Sequence, residues 1–305
     1  MHDIIIIGAG PAGLTAAIYA RRAEKSVLVL EKSAFGGQMT YSPKIENYPG
    51  FEAVSGNEIA DKMVSQALGL GAEIELAEVT GIEDGSEPEY IKTVICADGE
   101  RYEARAVIIA VGAEHRRLGV PGEEDFVGEG VSFCAVCDGA FYRGRDVVVV
   151  GGGNSALQEA ILLSDGCRSV TIVQNLDVLT GEQKLQDAIA TKDNVKVICG
   201  VTVAGFIRRD EGFGGVTIRR ESDGTEEDIE CDGAFVAIGL EPKNAPFAGV
   251  TSLDERGYIM SDETCYSETP GVFVAGDCRT KSVRQITTAT ADGASAALAA
   301  CRYLG

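Results

Sequence analysis

Cys134 and Cys137 stand three positions apart around Ala135 and Val136, and Asp138 follows at once. Disulfide exchange needs one thiolate to attack and another to leave, so two close thiols beside a carboxyl group suit a two-electron cycle between dithiol and disulfide. The acid can move the proton. The same spacing is half of a four-ligand zinc site. No second CxxC occurs, the only histidines are His2 and His115, and glycine-rich loops lie on both sides of the pair. The flanks favour redox chemistry, and no metal is expected. The other seven cysteines, Cys96, Cys167, Cys199, Cys231, Cys265, Cys278 and Cys301, have irregular spacing and read as reduced, mostly buried small residues.

The elements that must position this chemistry are legible around it. Ile4 to Ile7, the turn Gly8-Ala9-Gly10-Pro11-Ala12-Gly13, a helical run to Arg22 and a strand from Ser26 to Leu30 ending on Glu31 make a dinucleotide fingerprint in its proper context. The glycines let backbone approach a pyrophosphate, the helix N-terminus favours negative charge, and the acid accepts ribose hydroxyls. The unit recurs as a strand Asp146 to Val150, the turn Gly151-Gly152-Gly153-Asn154-Ser155-Ala156, a helix Leu157 to Ser164 and a strand Ser169 to Val173. Two such units imply an α/β protein with two Rossmann-like, three-layer nucleotide-binding domains.

Segments of hairpin character, Ile74 to Ile82 and Tyr90 to Ala110 in the first domain and Val195 to Ile238 in the second, predict a small β-meander in each. The turns Ala97-Asp98-Gly99 and Ser222-Asp223-Gly224 support them. Apolar strands ending in glycine, Ala106 to Gly112 and Ala234 to Gly239, close each unit, with crossings expected near Ala113 to Leu118 and Leu240 to Pro246. The strand Gly271 to Asp277 and a helix of small residues from Ile286 to Tyr303 return to the first domain, which is therefore discontinuous. The expected division is residues 1–113 with 246–305, and residues 114–245.

A length of 305 residues, 45% of them hydrophobic, accommodates two cores, and 38 glycines fit several tight turns and phosphate loops. The net charge of -20 opposes nucleic acid and anionic membrane as partners, since both are repelled within a Debye length of about 8 Å. The Ile4 to Ile7 run is far short of a signal sequence, and no stretch reaches the roughly 18 apolar residues of a membrane span. A cytoplasmic protein is expected.

With these pieces in order, the chain resembles the low-molecular-weight thioredoxin reductases over essentially its whole length. The resemblance rests on GAGPAG at 8 to 13, CAVCDG at 134 to 139, GGGNSA at 151 to 156, and GVFVAGD at 271 to 277 with Arg284-Gln285-Ile286. It implies a homodimer with FAD in the first domain. The implied FAD residues are Gly8, Gly10, Pro11, Ala12, Gly13, Glu31, Lys32, Gly36, Gly37, Gln38, Asn47, Val79, Ala110, Gly112, Gly276, Asp277, Arg284, Gln285 and Ile286. It implies further that Cys137 faces the flavin, that Cys134 attacks the disulfide of thioredoxin or a thioredoxin-like protein, and that Asp138 is the general acid. Phe141-Tyr142-Arg143 resembles the family's thioredoxin-receiving patch; ordinary core with a solvated charge is the other reading.

The sequence departs from the family pattern in the second nucleotide loop. NADPH-using relatives carry a basic cluster after the second strand, where this chain has Gln174-Asn175-Leu176 and Thr180, with no cation before Lys184. Charge-assisted hydrogen bonds contribute about 1.5 to 3 kcal/mol each, so NADPH is disfavoured. NADH lacks a positive signature, because Asp177 lies three residues beyond the strand end. The combination resembles the pyridine-nucleotide-independent, ferredoxin-linked branch, and NADH and ferredoxin are the donors left open. Arg279, Lys281 and Arg284 are the expected docking patch for an acidic ferredoxin, and His115 to Arg117 read as an exposed linker. The rival activity is an FAD-dependent dithiol oxidase running electrons from thiols to oxygen.

Overall fold

The computed structural model describes residues 1–85, 91–210 and 212–305. Tyr90, at the start of one expected hairpin segment, and Glu211, inside another, lie outside the described residues. The chain forms two compact units, Met1–Glu114 with Glu241–Gly305, and His115–Leu240.

In the first unit, parallel strands run in the order Glu73–Leu76, Val27–Glu31, His2–Ile7 and Arg101–Ile109. Ile4 and Ile6 point to one face and Ile5 and Ile7 to the other, and all four are buried. A parallel strand covered on both sides reads as an unbroken apolar run, which is why no alternation marks it. Arg101–Ile109 is long enough to serve two neighbours. Its first half pairs antiparallel with Lys92–Cys96, and its second half pairs parallel with Val272–Val274.

Helices Pro11–Arg22, Gly56–Gly69 and Ile286–Leu304 cover one face. The last is rich in alanine and glycine for a physical reason: a Cβ on Gly293 would lie 2.1 Å from the Ala12 carbonyl oxygen, so two helix backbones meet there almost directly. Only a small residue permits that approach.

The expected hairpin over Ile74 to Ile82 is corrected. Glu73–Leu76 and Val79–Asp84 are consecutive in sequence but occupy opposite edges of the sheet, the first parallel to Val27–Glu31 and the second antiparallel to Lys92–Cys96. Short polar strands look alike whichever neighbour they join.

The second unit has a parallel sheet ordered Val195–Cys199, Ser169–Gln174, Asp146–Val150, Gly233–Val236, Val131–Ser132. Val195–Cys199 is thus an edge strand of this sheet, and the antiparallel meander consists of Val201–Arg209, Gly212–Arg220 and Glu226–Glu230. Helices Asn154–Ser164 and Gln183–Ala190 pack on one side of the sheet through Leu157, Ala160, Leu163 and Ile189, and the meander packs on the other through Val203, Phe206, Val216 and Ile218. No helix among the described residues is long and apolar enough to cross a membrane.

Candidate functional site

Val131–Ser132 ends where the cysteine turn begins, and the short helix Ala135–Asp138 carries the turn onward. Cys134 and Cys137 are joined as a disulfide with their Cα atoms 5.3 Å apart. The turn is held by its own backbone: the N–H groups of Cys137 and Asp138 donate to the Cys134 carbonyl at 3.1 and 3.0 Å. Ser132 makes the link to the acid. Its hydroxyl accepts from the Cys134 N–H at 3.1 Å and donates to Asp138 Oδ2 at 2.6 Å. Asp138 Oδ1 is buried with no partner among the described residues. Burial raises the carboxyl above its ordinary range, with the Ser132 hydroxyl acting in the opposite direction. An acid that keeps its proton nearer to neutrality is suited to protonating a departing thiolate.

In the first unit the fingerprint turn is shaped by close backbone approaches. A Cβ on Gly8 would meet the Ala110 carbonyl oxygen at 2.4 Å, and one on Gly13 would meet the Gly8 carbonyl oxygen at 1.9 Å. Around Gly10, by contrast, a Cβ would meet nothing within 4 Å. Glu31 closes the turn, accepting from the Ala9 N–H at 2.8 Å and the Ser33 N–H at 3.0 Å. The Gly36 N–H donates to the Ala9 carbonyl at 2.8 Å, which brings the Gly36-Gly37 loop onto the same turn; a Cβ on Gly37 would lie 3.2 Å from Gly10 Cα. Gln38 donates to the Ala113 carbonyl, just beyond Gly112, and Asn47 donates to Gln285 at 3.1 Å. Gln285 caps the helix that Ile286 begins.

Gly276 has φ +81, and a Cβ there would press on Ala12 at 2.9 Å, so the turn bearing Asp277 lies against the fingerprint helix. Asp277 is half-buried, its Oδ1 is buried with no partner among the described residues, and desolvation pushes its carboxyl up to about 6. Lys32 pairs with Glu114 at 2.6 Å. Val79 stands on the outer antiparallel strand opposite Cys96, and Ala77, two residues earlier, donates to the Glu31 carbonyl at 2.8 Å.

The second glycine loop is arranged differently. Gly151 and Ala156 serve strand–helix packing: a Cβ on Gly151 would lie 2.6 Å from the Ala237 carbonyl oxygen and 3.3 Å from Ala156 Cβ. Gln174 is 5% exposed, and its amide lies against Gly152, where a Cβ would sit 2.6 Å from it. The N–H groups of Thr180 and Gly181 donate to the Gly152 carbonyl at 2.8 and 2.9 Å, and Asn154 and Glu182 bond reciprocally. The 178–182 segment therefore lies across this loop, and Gln174 fills the space beside it.

The pyridine nucleotide-disulphide oxidoreductase family matches this chain over residues 2–293. A thioredoxin reductase of Listeria innocua is 45% identical over 304 residues, covering 100% of this chain and 94% of the relative. One of Bacillus subtilis is 42% identical over 304 residues, covering 100% and 95%. The crystal structure of thioredoxin reductase from Streptococcus pyogenes superposes with a TM-score of 0.94 at 42% identity, covering 100% of this chain and 98% of that one. The chain belongs to the low-molecular-weight thioredoxin reductase family.

Membership makes this reductase a flavoprotein oxidoreductase and implies FAD and a nicotinamide cofactor. Its own residues fit FAD: the open face at Gly10 leaves room for a pyrophosphate, and the orphaned buried oxygen of Asp277 lacks the hydroxyl partner that a ribityl chain offers. Gly10 has φ -76, which alanine adopts freely. Gly10→Ala is therefore expected to fold normally and to weaken FAD by about tenfold or more, the cost of roughly 1–3 kcal/mol for forcing a methyl into a fitted contact. Flavin retained after dialysis measures it, and undiminished retention would rule out the open face as the pyrophosphate seat.

Two expectations for the reductase are corrected. Arg279 and Lys281 do not form a solvent-facing docking patch: Arg279 is 2% exposed and bonds Asp292 through two nitrogens at 2.9 and 2.8 Å, and Lys281 reaches the same carboxylate at 2.9 Å. Arg284 is half-buried with its guanidinium 4.3 Å over the Tyr258 ring. Arg279 and Lys281 neutralise a buried acid, which sequence proximity does not reveal. His115 is no exposed linker; it packs on Phe133 with ring centroids 5.1 Å apart, and burial followed by the nearby Arg117 charge pulls its imidazole down to about 4. In the Phe141-Tyr142-Arg143 run, Tyr142 belongs to the core, stacked edge-on to Phe235 at 5.2 Å, while Arg143 is exposed.

Asp292, Ser132 and Glu159 are the residues that the sequence reading missed. Asp292 had a signal, as the single charge in a helix of small residues before Arg302. It accepts from the Gly276 N–H at 2.9 Å and so ties the Asp277 turn to the helix. Removing one member of a buried ion cluster costs about 3–5 kcal/mol. Asp292→Ala, which strips Lys281 of this carboxylate and leaves buried Arg279 with Glu263 alone, is expected to lose stability of that order, read as a lowered urea midpoint.

Proposed function

We propose that the chain passes electron pairs from FAD through the Cys134–Cys137 disulfide to thioredoxin or a thioredoxin-like protein, working as a homodimer in the cytoplasm with a donor other than NADPH. The observation that carries this reading is the formed disulfide with the half-buried acid of Asp138 bonded through Ser132 to the Cys134 backbone. The proposed FAD residues are those around the first glycine turn: Gly8, Gly10 and Gly13 at the pyrophosphate, Glu31 at the ribose, Asp277 at the ribityl chain, with Gln38, Asn47, Gln285 and Ile286 closing the site. When bound, FAD would supply the electron pair that opens the disulfide.

The chain's own residues then handle sulfur and protons. Asp138 gives a proton to the sulfur that leaves and takes one back when the disulfide re-forms. Cys134 attacks the partner disulfide, and Val136, 60% exposed between the cysteines, offers apolar surface to the incoming protein. NADH and a ferredoxin are the donors that this reading retains.

The experiment is a single-turnover transfer without any donor. Protein reduced anaerobically by dithionite and freed of excess reductant is mixed with oxidised thioredoxin. About one dithiol per active site should appear on thioredoxin. Its absence, with oxygen consumed instead when air and a small dithiol are supplied, would replace this reading by the dithiol oxidase.

A further inference from the structure

Glu159 sits on the helix Asn154–Ser164, which packs directly beneath the cysteine turn. Neither the redox chemistry nor the glycine loop requires an acid there. The Ala135 backbone N–H, the first of the turn, bonds to its carboxyl, while Oε2 is buried without a partner among the described residues. Asp138 has the matching arrangement, one oxygen bonded through Ser132 and the other buried and unpartnered among the same residues. Two carboxyls thus hold the same four-residue turn, one at Ala135 and one through Cys134, and each keeps an unbonded oxygen out of solvent. Two half-buried carboxyls in one neighbourhood, each with a buried oxygen, do not both ionise readily, so such a pair favours keeping a proton between them.

We propose that Glu159 is a positioning residue that keeps Asp138 supplied with the proton the cysteine pair takes up on reduction. This rests on the reading of Asp138 as the acid. Opening the Cys134–Cys137 bond takes two electrons, supplied by reduced flavin in the proposed reaction, and one proton, which turns the two sulfurs into a thiol and a thiolate. That proton leaves Asp138, and the proton of Glu159 moves to Asp138 in its place. When the partner disulfide takes the electron pair, the Cys134–Cys137 bond re-forms and the thiol proton returns to the two carboxyls. The partner's sulfurs draw their own protons from water.

The surroundings support a retained proton. Burial, followed more weakly by the charge of Asp138, pushes Glu159 up to about 8 against the Ala135 N–H. Titratable groups on the neighbouring elements are Asp138 and Tyr142 from the cysteine segment, Asp146 at the start of the central strand, and Lys184 and Asp187 on the helix Gln183–Ala190. Of these, Asp138 is the charge that acts on Glu159, and it also raises Tyr142.

The test uses the flavin-loaded protein and dithiothreitol, with the rate of disulfide opening divided by the thiolate fraction of the reagent at each pH. For the native protein this corrected rate should fall across a midpoint near pH 8, where the carboxyl pair gives up its proton. In Glu159→Gln the midpoint should move down by about one unit, so that the corrected rate at pH 8 drops about fivefold while that at pH 6 is nearly unchanged. Infrared difference spectra between disulfide and dithiol forms supply a second readout. The protonated-carboxyl band that changes in the native protein, that of Glu159, should be replaced in Glu159→Gln by one from Asp138 at a different frequency.

An unmoved midpoint, or a rate lowered equally at every pH, overturns the proposal. Asp138→Asn separates the two failures: it should give a low, flat profile. If that profile instead stays native, the reading of Asp138 as the acid has failed, and not merely the role of Glu159.

Discussion

Cys134→Ser and Cys137→Ser should each abolish transfer to thioredoxin, by on the order of 10³-fold or more, while leaving a yellow protein that dithionite still bleaches. Serine keeps the size of the side chain but not the chemistry: an alkoxide is neither formed near neutral pH nor able to make the mixed disulfide, and removing a nucleophile from a coupled set costs most of the catalysis. The two variants should nevertheless differ. With Cys137 replaced, Cys134 can still attack thioredoxin after reduction and should stall as a trapped mixed disulfide, because no neighbouring thiol resolves it. With Cys134 replaced, no such adduct should form on Cys137 at a comparable rate. Mass spectrometry of the quenched mixture distinguishes them. Full turnover by either variant would remove the basis of the proposed function, since all other cysteines stand apart from this pair and most are held as thiols by burial, Cys231, Cys265 and Cys278 each being pushed up to about 12.

The elements that the sequence made legible are those whose residues are fixed by local physics. The Gly8 to Gly13 turn reads correctly because Gly8 and Gly13 meet backbone carbonyls at distances that exclude any side chain. The Ile4 to Ile7 strand reads correctly because it is covered on both faces. What escaped was set by partners distant in sequence. Arg279 and Lys281 look like a solvated loop until Asp292 on a later helix is seen to neutralise them. Glu159 looks like the polar face of an ordinary helix until the cysteine turn is seen to bury it. The strands Glu73–Leu76 and Val79–Asp84 look like a hairpin because a short polar strand carries no mark of which edge it joins.

Anaerobic addition of NADPH to the yellow protein should bleach the flavin at least about 100-fold more slowly than the physiological donor, because two charge-assisted hydrogen bonds are absent at about 1.5 to 3 kcal/mol each. The loop adds a steric obstacle to the missing charge. In a dinucleotide fingerprint the backbone of the glycine turn must face the pyrophosphate, yet here Gln174 lies against Gly152 and the Thr180 and Gly181 N–H groups are spent on its carbonyl. Asn175 and Leu176 are exposed, so Asn175→Arg with Leu176→Arg should fold normally and return positive charge. That pair of changes should speed bleaching by NADPH about tenfold, short of full recovery because the segment 178–182 still crosses the loop. Parallel titrations with NADH and with reduced ferredoxin identify which donor the flavin accepts. Rapid bleaching of the native protein by NADPH would show that this loop opens and that the absent cations are replaced by other contacts, and the donor assignment would fall while the cysteine chemistry stood.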